Sequence, residues 1–429
     1  MPLKSKFRGR ELLLLIAATL IFFAAIFSMD VPIDAAFFQL LLGFVGVFFL
    51  AHVVLSFFAP NSDQVMLPIA ALLNGLGIAM IFRLDLALET SMASRQIVWT
   101  LVGVVLFVLV LVFLRDHRYL SRFSYILGIV GLILLALPLV WPVSANNSTD
   151  ARIWIYINGF SVQPGEFSKI FLLLFFSQLL INKRALFNVA GAKILGIEFP
   201  RLRDLGPILA VWGIAIFIMA GENDFGPALL LFSTVLGMIY MATGRVSWLM
   251  IGTFLVALGG TVIYQISSKI QTRIANFLDP FQDPEGAGFQ PTQALFGMSY
   301  GGLTGRGLGQ GHPYLVPVAW TDYILSSIGE ELGLIGVSAI LLLFAAFVTR
   351  GMITALNTQD SFGKLVAAGL SLTVAIQVFV VTAGISSLMP MTGLTTPFMS
   401  QGGSSLMANY ILLAIILRIS DSTARKVAA

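Results

Sequence analysis

The run Leu12-Leu-Leu-Leu-Ile-Ala-Ala-Thr-Leu-Ile-Phe-Phe-Ala-Ala-Ile-Phe-Ser28 carries no ionisable side chain and follows the basic cluster Lys4, Lys6, Arg8 and Arg10. About 20 apolar residues in an α-helix cross the hydrocarbon core of a bilayer, so the run reads as a membrane span. No Ala-x-Ala-like cleavage site closes it, which predicts a retained helix rather than a removable leader. Outward from this stretch the same ruler predicts twelve spans, at approximately 11–29, 35–58, 65–83, 95–114, 122–142, 166–182, 205–221, 226–242, 246–266, 322–348, 364–385 and 404–419. The fold class is therefore an all-α polytopic membrane protein. Composition agrees: 58% of the 429 residues are hydrophobic and 11% charged, which excludes a soluble core. The absence of cysteine removes disulfides, thiolate nucleophiles and cysteine metal sites together. A net charge of +4 needs no nucleic-acid partner, because basic loop residues of membrane proteins serve orientation first.

With both termini in the cytoplasm, eighteen Lys and Arg residues fall on the inner side. Six fall on the outer side: Arg83, Arg95, Arg152, Lys269, Arg273 and Arg306. That bias orients the chain and places the long polar segment at about 267–321 outside the membrane. Its part Phe277-Leu-Asp-Pro-Phe-Gln-Asp-Pro-Glu-Gly-Ala-Gly-Phe-Gln290, with Lys269, Arg273, Asp279, Asp283, Glu285, Arg306, His312 and Asp322 around it, is where water-facing chemistry is expected.

Polar residues near the spans are few. Glu166 and Lys169 stand three apart on one helix face, as a mutual ion pair or as a charged pair facing a cavity that attracts an anionic substrate. Asp150-Ala-Arg-Ile-Trp154 sets an arginine and an indole at the interface, where both are common anchors. Glu222 and Asp224 read as turn residues. Gly301-Gly-Leu-Thr-Gly-Arg-Gly-Leu-Gly-Gln-Gly311 lacks the Gly-Lys-Ser/Thr ending of a phosphate loop, and is expected to be a loop whose backbone approaches something closely. The Gly-, Pro-, Ser- and Thr-rich segment Pro390–Ser405 is expected to be irregular backbone lining a cavity, with hydroxyls for phosphate or sugar oxygens. Helix capping by Ser404 or Ser405 is the alternative. His52, His117 and His312 show no metal-ligand spacing; a divalent cation, Mg or Mn, stays open as a cofactor that could share charge stabilisation, although the sequence offers no dedicated oxygen cage.

Several motifs in fixed order carry a resemblance. They are Trp154, Gln163-Pro-Gly-Glu-Phe-Ser-Lys169, Asp224-Phe-Gly, Asp279-Pro-x-x-Asp-Pro-x-Gly-x-Gly-Phe-Gln290 and Gly301-Gly-Leu-x-Gly-x-Gly-Leu308. Thr321-Asp-Tyr-Ile, Gly329-Glu-Glu-Leu-Gly333 and Pro397-Phe-x-Ser-x-Gly-Gly-Ser-Ser405 complete the series. Over roughly residues 65–420 the chain resembles the SEDS family of RodA, FtsW and SpoVE proteins, and is closer to the RodA branch. The resemblance implies a peptidoglycan glycosyltransferase that polymerises lipid II on the outer face of the bacterial cytoplasmic membrane. The implied partners are a class B penicillin-binding protein and other elongation or division membrane proteins. It also implies a ten-helix core over 61–429, which leaves 1–60 as two additional N-terminal helices. The family's essential acidic residue carries over to Asp283, in the second Asp-Pro, and not to Asp279. Departures include Gln163-Pro-Gly-Glu166 for Gln-Pro-Ser-Glu, an arginine shifted by one place at Arg152, and Trp320-Thr-Asp-Tyr323 for His-Thr-Asp-Phe.

Forming a β-1,4 bond from an α-linked lipid pyrophosphate inverts the anomeric carbon, and so asks for a base on one face and positive charge at the leaving group. Asp283 is the candidate base, and Arg152, Lys169 and Arg273 are the candidate pyrophosphate partners. Glu166, Gln290, Gln293, Ser400, Ser404 and Ser405 complete the candidate substrate-binding set. The alternatives are a lipid II transporter and a non-catalytic scaffold for the penicillin-binding protein.

Overall fold

The computed structural model describes residues 7–29, 35–142, 152–157, 160–183, 190–194, 197–200, 213–215, 217–218, 221–222 and 224–427. Its long helices are α1 (Gly9–Phe27), α2 (Ala35–Phe58), α3 (Met66–Leu88), α4 (Met92–Phe113), α6 (Ser124–Val140), α7 (Pro164–Asn182), α8 (Gly226–Thr243) and α9 (Val246–Ile266). They continue with α12 (Ile324–Asn357), α13 (Ser361–Ile385) and α14 (Gly403–Val427). The short helix α5 (Arg118–Arg122) precedes α6, and α10 (Ser268–Leu278) and α11 (Phe289–Gly301) lie between α9 and α12. Among the described residues, 10 helices are long and apolar enough to cross a membrane. The predicted span at 122–142 corresponds to α6, a shorter apolar helix, and most of the one predicted at 205–221 lies outside the described residues. Two small antiparallel hairpins, β1 (Ile155–Ile157) with β2 (Phe160–Val162) and β3 (Ala190–Ile194) with β4 (Ile197–Pro200), were not anticipated.

The chain divides into two units. The first comprises Met1–Arg115, Lys269–Gly351 and Gln377–Ala429, and the second Asp116–Ser268 and Met352–Ile376. In the first, α1 packs on α3, and α4 packs on α2 and α14. Small residues permit the close approaches: a Cβ at Gly103 would overlap the ring of Tyr410, and one at Gly403 the indole of Trp99. Arg8 is fully buried, yet its donors are met. Nη1 reaches the carbonyls of Ala59, Pro60 and Ser62 at 3.0, 3.2 and 3.1 Å, and Nη2 that of Asp63 at 2.9 Å. The same guanidinium pairs with Glu11, whose other oxygen lies 2.6 Å from His52 Nδ1. A buried arginine is tolerated only when its charge and protons are satisfied in this way. In the second unit α6 packs on α7 through Gly128 against Phe175 and Gly131 against Leu172, and α8 packs on both α7 and α9. Helix α7 opens with Pro164 in its first turn, where the missing N–H costs nothing, and with Glu166 at the favourable end of the helix dipole.

The 267–321 segment contains more regular structure than a polar loop. Residues 268–278 put Ile270, Ile274, Phe277 and Leu278 on one side and Lys269, Arg273 and Asn276 elsewhere, the pattern of a helix lying in an interface. At 11 residues it is too short to cross a bilayer.

Candidate active site

The two Asp-Pro pairs differ in local geometry. Asp279 Oδ1 accepts a single backbone hydrogen bond, from Phe281 at 3.0 Å. Asp283 Oδ1 accepts from the N–H of Gly286 at 3.1 Å and Oδ2 from that of Ala287 at 2.9 Å, while its own carbonyl accepts from Gly288 at 3.0 Å. The spacing Asp-Pro-Glu-Gly-Ala-Gly follows from this turn. A Cβ at Gly286 would run into the Asp283 carboxylate, and one at Gly288 into the Pro280 carbonyl. Pro284 stiffens the backbone where the carboxylate is gripped. Each carboxylate oxygen keeps a lone pair beyond the one the backbone uses, and the residue is exposed, so an oriented acceptor faces outward from the chain. The turn is tied to its neighbours by Thr292 Oγ1 donating to Pro280 O at 3.0 Å and Asn276 Nδ2 to Ala287 O at 2.7 Å.

Arg273, on α10, donates from Nη1 to Thr392 O at 3.0 Å, and its Nη2 lies 3.0 Å from where Gly393 would carry a Cβ. The predicted basic residue therefore meets the irregular Pro390–Ser405 segment. That segment is also joined to the Thr321-Asp-Tyr motif: Ser400 Oγ donates to Thr321 O, and Gln401 N–H to Trp320 O at 2.8 Å. Asp322 stands at this junction, its Oδ1 accepting from Thr321 Oγ1 at 2.9 Å. Burial pushes the Asp322 carboxyl above the usual range, and the Thr321 hydrogen bond and the nearby Arg273 charge offset part of that.

The predicted hydroxyls are engaged internally. Ser400 Oγ also accepts the Thr396 N–H at 2.8 Å. Ser405 Oγ lies 2.9 Å from Thr395 Oγ1 and accepts from Asn409 Nδ2 at 3.4 Å. Ser404 is buried in the first turn of α14. Gln290 Nε2 donates to Pro317 O at 2.7 Å, and Gln293 lines a groove of about 540 Å³.

The glycine-rich segment does approach something closely. Helix α12 is broken at Gly333 (φ 66°, ψ −171°), and beyond the break the N–H groups of Leu334 and Ile335 are met by the carbonyls of Gly302 and Leu303 at 3.0 and 3.1 Å. A Cβ at Gly301 or Gly305 would collide with the α12 backbone at Gly329 or Glu331, and Gly305 has a φ of +79° that L side chains resist. Glu331 accepts from Gly309 N–H and pairs with Arg83 Nε, both at 3.0 Å, and Arg83 also donates to Gly309 O and Gly311 O at 3.2 and 2.9 Å. The Gly301–Gly311 and Gly329–Gly333 motifs are thus two halves of one device, built on a buried ion pair.

Arg152, Glu166 and Lys169 belong to the second unit, apart from the other candidates in the chain's division. Lys169 Nζ lies 2.6 Å from Glu166 Oε2, so the pair is formed. Arg152 is exposed and its N–H donates to Glu222 O at 3.0 Å. Burial, with the charge of Asp224 added, pushes the Glu222 carboxyl up to about 8. Among the described residues no three His, Asp or Glu side chains converge on a point that could hold a cation. His52 is taken up by Glu11, His117 by Asp360 and His312 by Tyr314. Asp322, Glu330, Glu331 and Arg83 were not among the candidate site residues: Asp322 stood only among the polar residues of the outer segment and in the Thr-Asp-Tyr motif, Glu330 and Glu331 only in Gly-Glu-Glu-Leu-Gly, and Arg83 only among the six outer basic residues.

The family model for the cell cycle proteins FtsW, RodA and SpoVE matches residues 63–425. The chain is 49% identical to the peptidoglycan glycosyltransferase RodA of Mycobacterium tuberculosis, over 99% of this chain and 92% of that one. It is 31% identical to stage V sporulation protein E of Bacillus subtilis over 84% of this chain and 97% of the other. Among solved structures, RodA of Thermus thermophilus matches with a TM-score of 0.58 at 24% identity over 84% of this chain and 96% of its own, a likeness of fold. A chain of a peptidoglycan synthase complex that coordinates polymerization and crosslinking matches with a TM-score of 0.57 at 25% identity, over 90% of this chain and 98% of its own. The chain belongs to the FtsW, RodA and SpoVE family of membrane proteins.

Proposed function

We propose that this chain is a peptidoglycan glycosyltransferase that polymerises lipid II into glycan strands. The observation that carries the reading is 49% identity across nearly the whole chain to RodA proteins that bear that activity in their name. The positive-inside bias supports both termini in the cytoplasm and the 267–321 segment outside. Asp283 acts as the general base. Its carboxylate takes the proton of the acceptor sugar's 4-hydroxyl as that oxygen attacks the donor anomeric carbon from the face opposite the pyrophosphate. The C1–O bond to the leaving group breaks with inversion, and the electron pair departs on undecaprenyl pyrophosphate. The backbone N–H grip on Asp283 supports this role, because a base must be held within hydrogen-bond reach of the proton it takes.

Arg273 supplies charge to the leaving pyrophosphate. Arg152 and the Glu166–Lys169 pair contribute to binding the anionic substrate. The Arg273 charge reaches the buried Asp322 carboxyl, which places a second ionisable group beside the guanidinium. The likeness to a chain of a peptidoglycan synthase complex supports a class B penicillin-binding protein as the transpeptidase partner.

Reconstitution tests the reading. Purified chain in vesicles, with its cognate transpeptidase and lipid II, should form glycan polymer. Movement of labelled lipid across the bilayer without polymer would replace the polymerase by a transporter.

A further inference from the structure

Glu330 is 4% exposed, one turn before the break in α12, and the mechanism above gives it no work. Its Oε1 accepts the N–H of His312 at 2.6 Å. No described donor meets Oε2. That oxygen keeps its acceptor lone pairs, on a residue otherwise packed into the fold. The residue lines the groove of about 540 Å³ that also holds Gln293, Phe296, Tyr300, Arg306 and His312. Space for Oε2 exists because Gly297 lacks a side chain: a Cβ there would sit 2.8 Å from it.

The other walls have a matching character. Phe296 and Tyr300 are about half exposed. The Arg306 guanidinium lies 3.7 Å from the Tyr300 ring centroid and its Nε donates to Tyr300 O at 2.7 Å, so an exposed cation is held in place. The Phe296 ring also lies 5.8 Å, centroid to centroid, from that of Phe281, one of the two residues between the Asp-Pro pairs, so the groove wall meets the segment that carries Asp283.

We infer that this groove is a saccharide subsite that holds the amino-sugar strand next to the reaction centre, with Glu330 Oε2 as its fixed acceptor. The inference rests on the glycosyltransferase reading for the identity of the strand. A pyranose offers hydroxyl and amide N–H donors at its edge and an apolar face for an aromatic ring. A few placed polar groups on aromatic walls are the usual make-up of a small-ligand site. An acidic substituent on the sugar meets Arg306, for which bidentate carboxylate pairing is available. Glu330 touches neither the attacking oxygen nor the leaving group. Its effect falls on strand retention, not on bond formation.

The test uses a soluble, lipid-free peptidoglycan oligosaccharide titrated calorimetrically into the purified full chain, alongside polymerisation of lipid II with product length resolved on a gel. Glu330→Gln keeps the acceptor for His312 and changes only the open oxygen to a donor. It should weaken oligosaccharide binding at least about tenfold and shorten the strands. Gly297→Ala, which fills the space in front of Oε2, should do the same, while Asp283→Asn should bind the oligosaccharide as the wild type does. Wild-type binding unchanged in both Glu330→Gln and Gly297→Ala, or no binding by the wild type, overturns the subsite even where polymer is made. Binding that follows the expected pattern in a chain that makes no polymer supports the subsite and removes the polymerase reading instead.

Discussion

Two glycine-rich regions of this chain use the same residue to opposite ends. In Gly301–Gly311 glycine lets one backbone lie against another: the loop's carbonyls meet the N–H groups freed by the break at Gly333, and the buried Arg83–Glu331 pair locks the contact. In the Asp283 turn glycine lets the backbone close around a side chain, so that two N–H groups orient an exposed carboxylate. The first arrangement spends its polar groups on holding the fold, and the second leaves acceptor capacity facing outward. Glycine content alone does not separate them. What separates them is whether the groups the glycines release are consumed internally.

The contrast breaks most visibly at the ion pair. Removing one partner of a buried pair strands the other charge, at a cost of about 3–5 kcal/mol. Arg83→Met should therefore lower the thermal midpoint in detergent sharply, with polymerisation lost through unfolding, whereas Asp283→Asn leaves the midpoint in place. A midpoint unchanged in Arg83→Met would mean that the loop is not locked as described.

Gly305→Ala and Gly286→Ala form the next pair. At Gly305 the added Cβ meets the carbonyl of Glu331, which belongs to a helix and cannot swing away, and the positive φ is strained besides. About 1–3 kcal/mol of destabilisation is expected, read from denaturant or thermal melts. At Gly286 the Cβ meets the far end of the Asp283 side chain, which can move. Stability should change little, while polymerisation falls at least about tenfold, because displacing a catalytic group by about 1 Å costs up to about 10²-fold. Equal effects of the two substitutions on both readouts would erase the distinction.

A smaller effect sharpens the comparison from the second unit. Glu222 is a carboxyl whose proton is set by burial, not by a backbone grip. It gives up that proton near 4.5 in the unfolded chain and near 8 in the folded one. The stability gained from holding the proton is fully present below about pH 4.5 and is lost as the pH rises through about 8. Glu222→Gln should flatten the pH dependence of the melting midpoint across that window. A profile identical to wild type would show that the carboxyl titrates as an exposed one.

Much of the fold was legible because membrane helices announce themselves by composition. Runs such as Leu12–Ser28 need no tertiary information to be recognised, since the bilayer imposes the same length on each. The interval 267–321 was harder. The helical period of α10 was present in Ile270, Ile274, Phe277 and Leu278, but the charges around it suggested loop. Helix α11 carries Gly297 and Pro291, poor helix formers whose place is explained by packing against Glu330 and by the turn before it. In the Pro390–Ser405 segment the irregular backbone was readable from its Gly and Pro, yet the fate of the hydroxyls was not. Ser400 and Ser405 bond to Thr321, Thr395 and Thr396, partners that only the fold brings near. The particular roles of Asp322 and Glu330 were hidden for the same reason: a carboxylate's role depends on what is buried around it, and spacing along the chain does not report that.

The most direct measurement compares the two Asp-Pro pairs. Initial rates of glycan polymer formation from lipid II, with the cognate transpeptidase present, should fall at least about 10²-fold in Asp283→Asn and stay within a few-fold of wild type in Asp279→Asn, with the thermal midpoints of both unchanged. Wild-type rates in Asp283→Asn, or a loss confined to Asp279→Asn, would contradict the account.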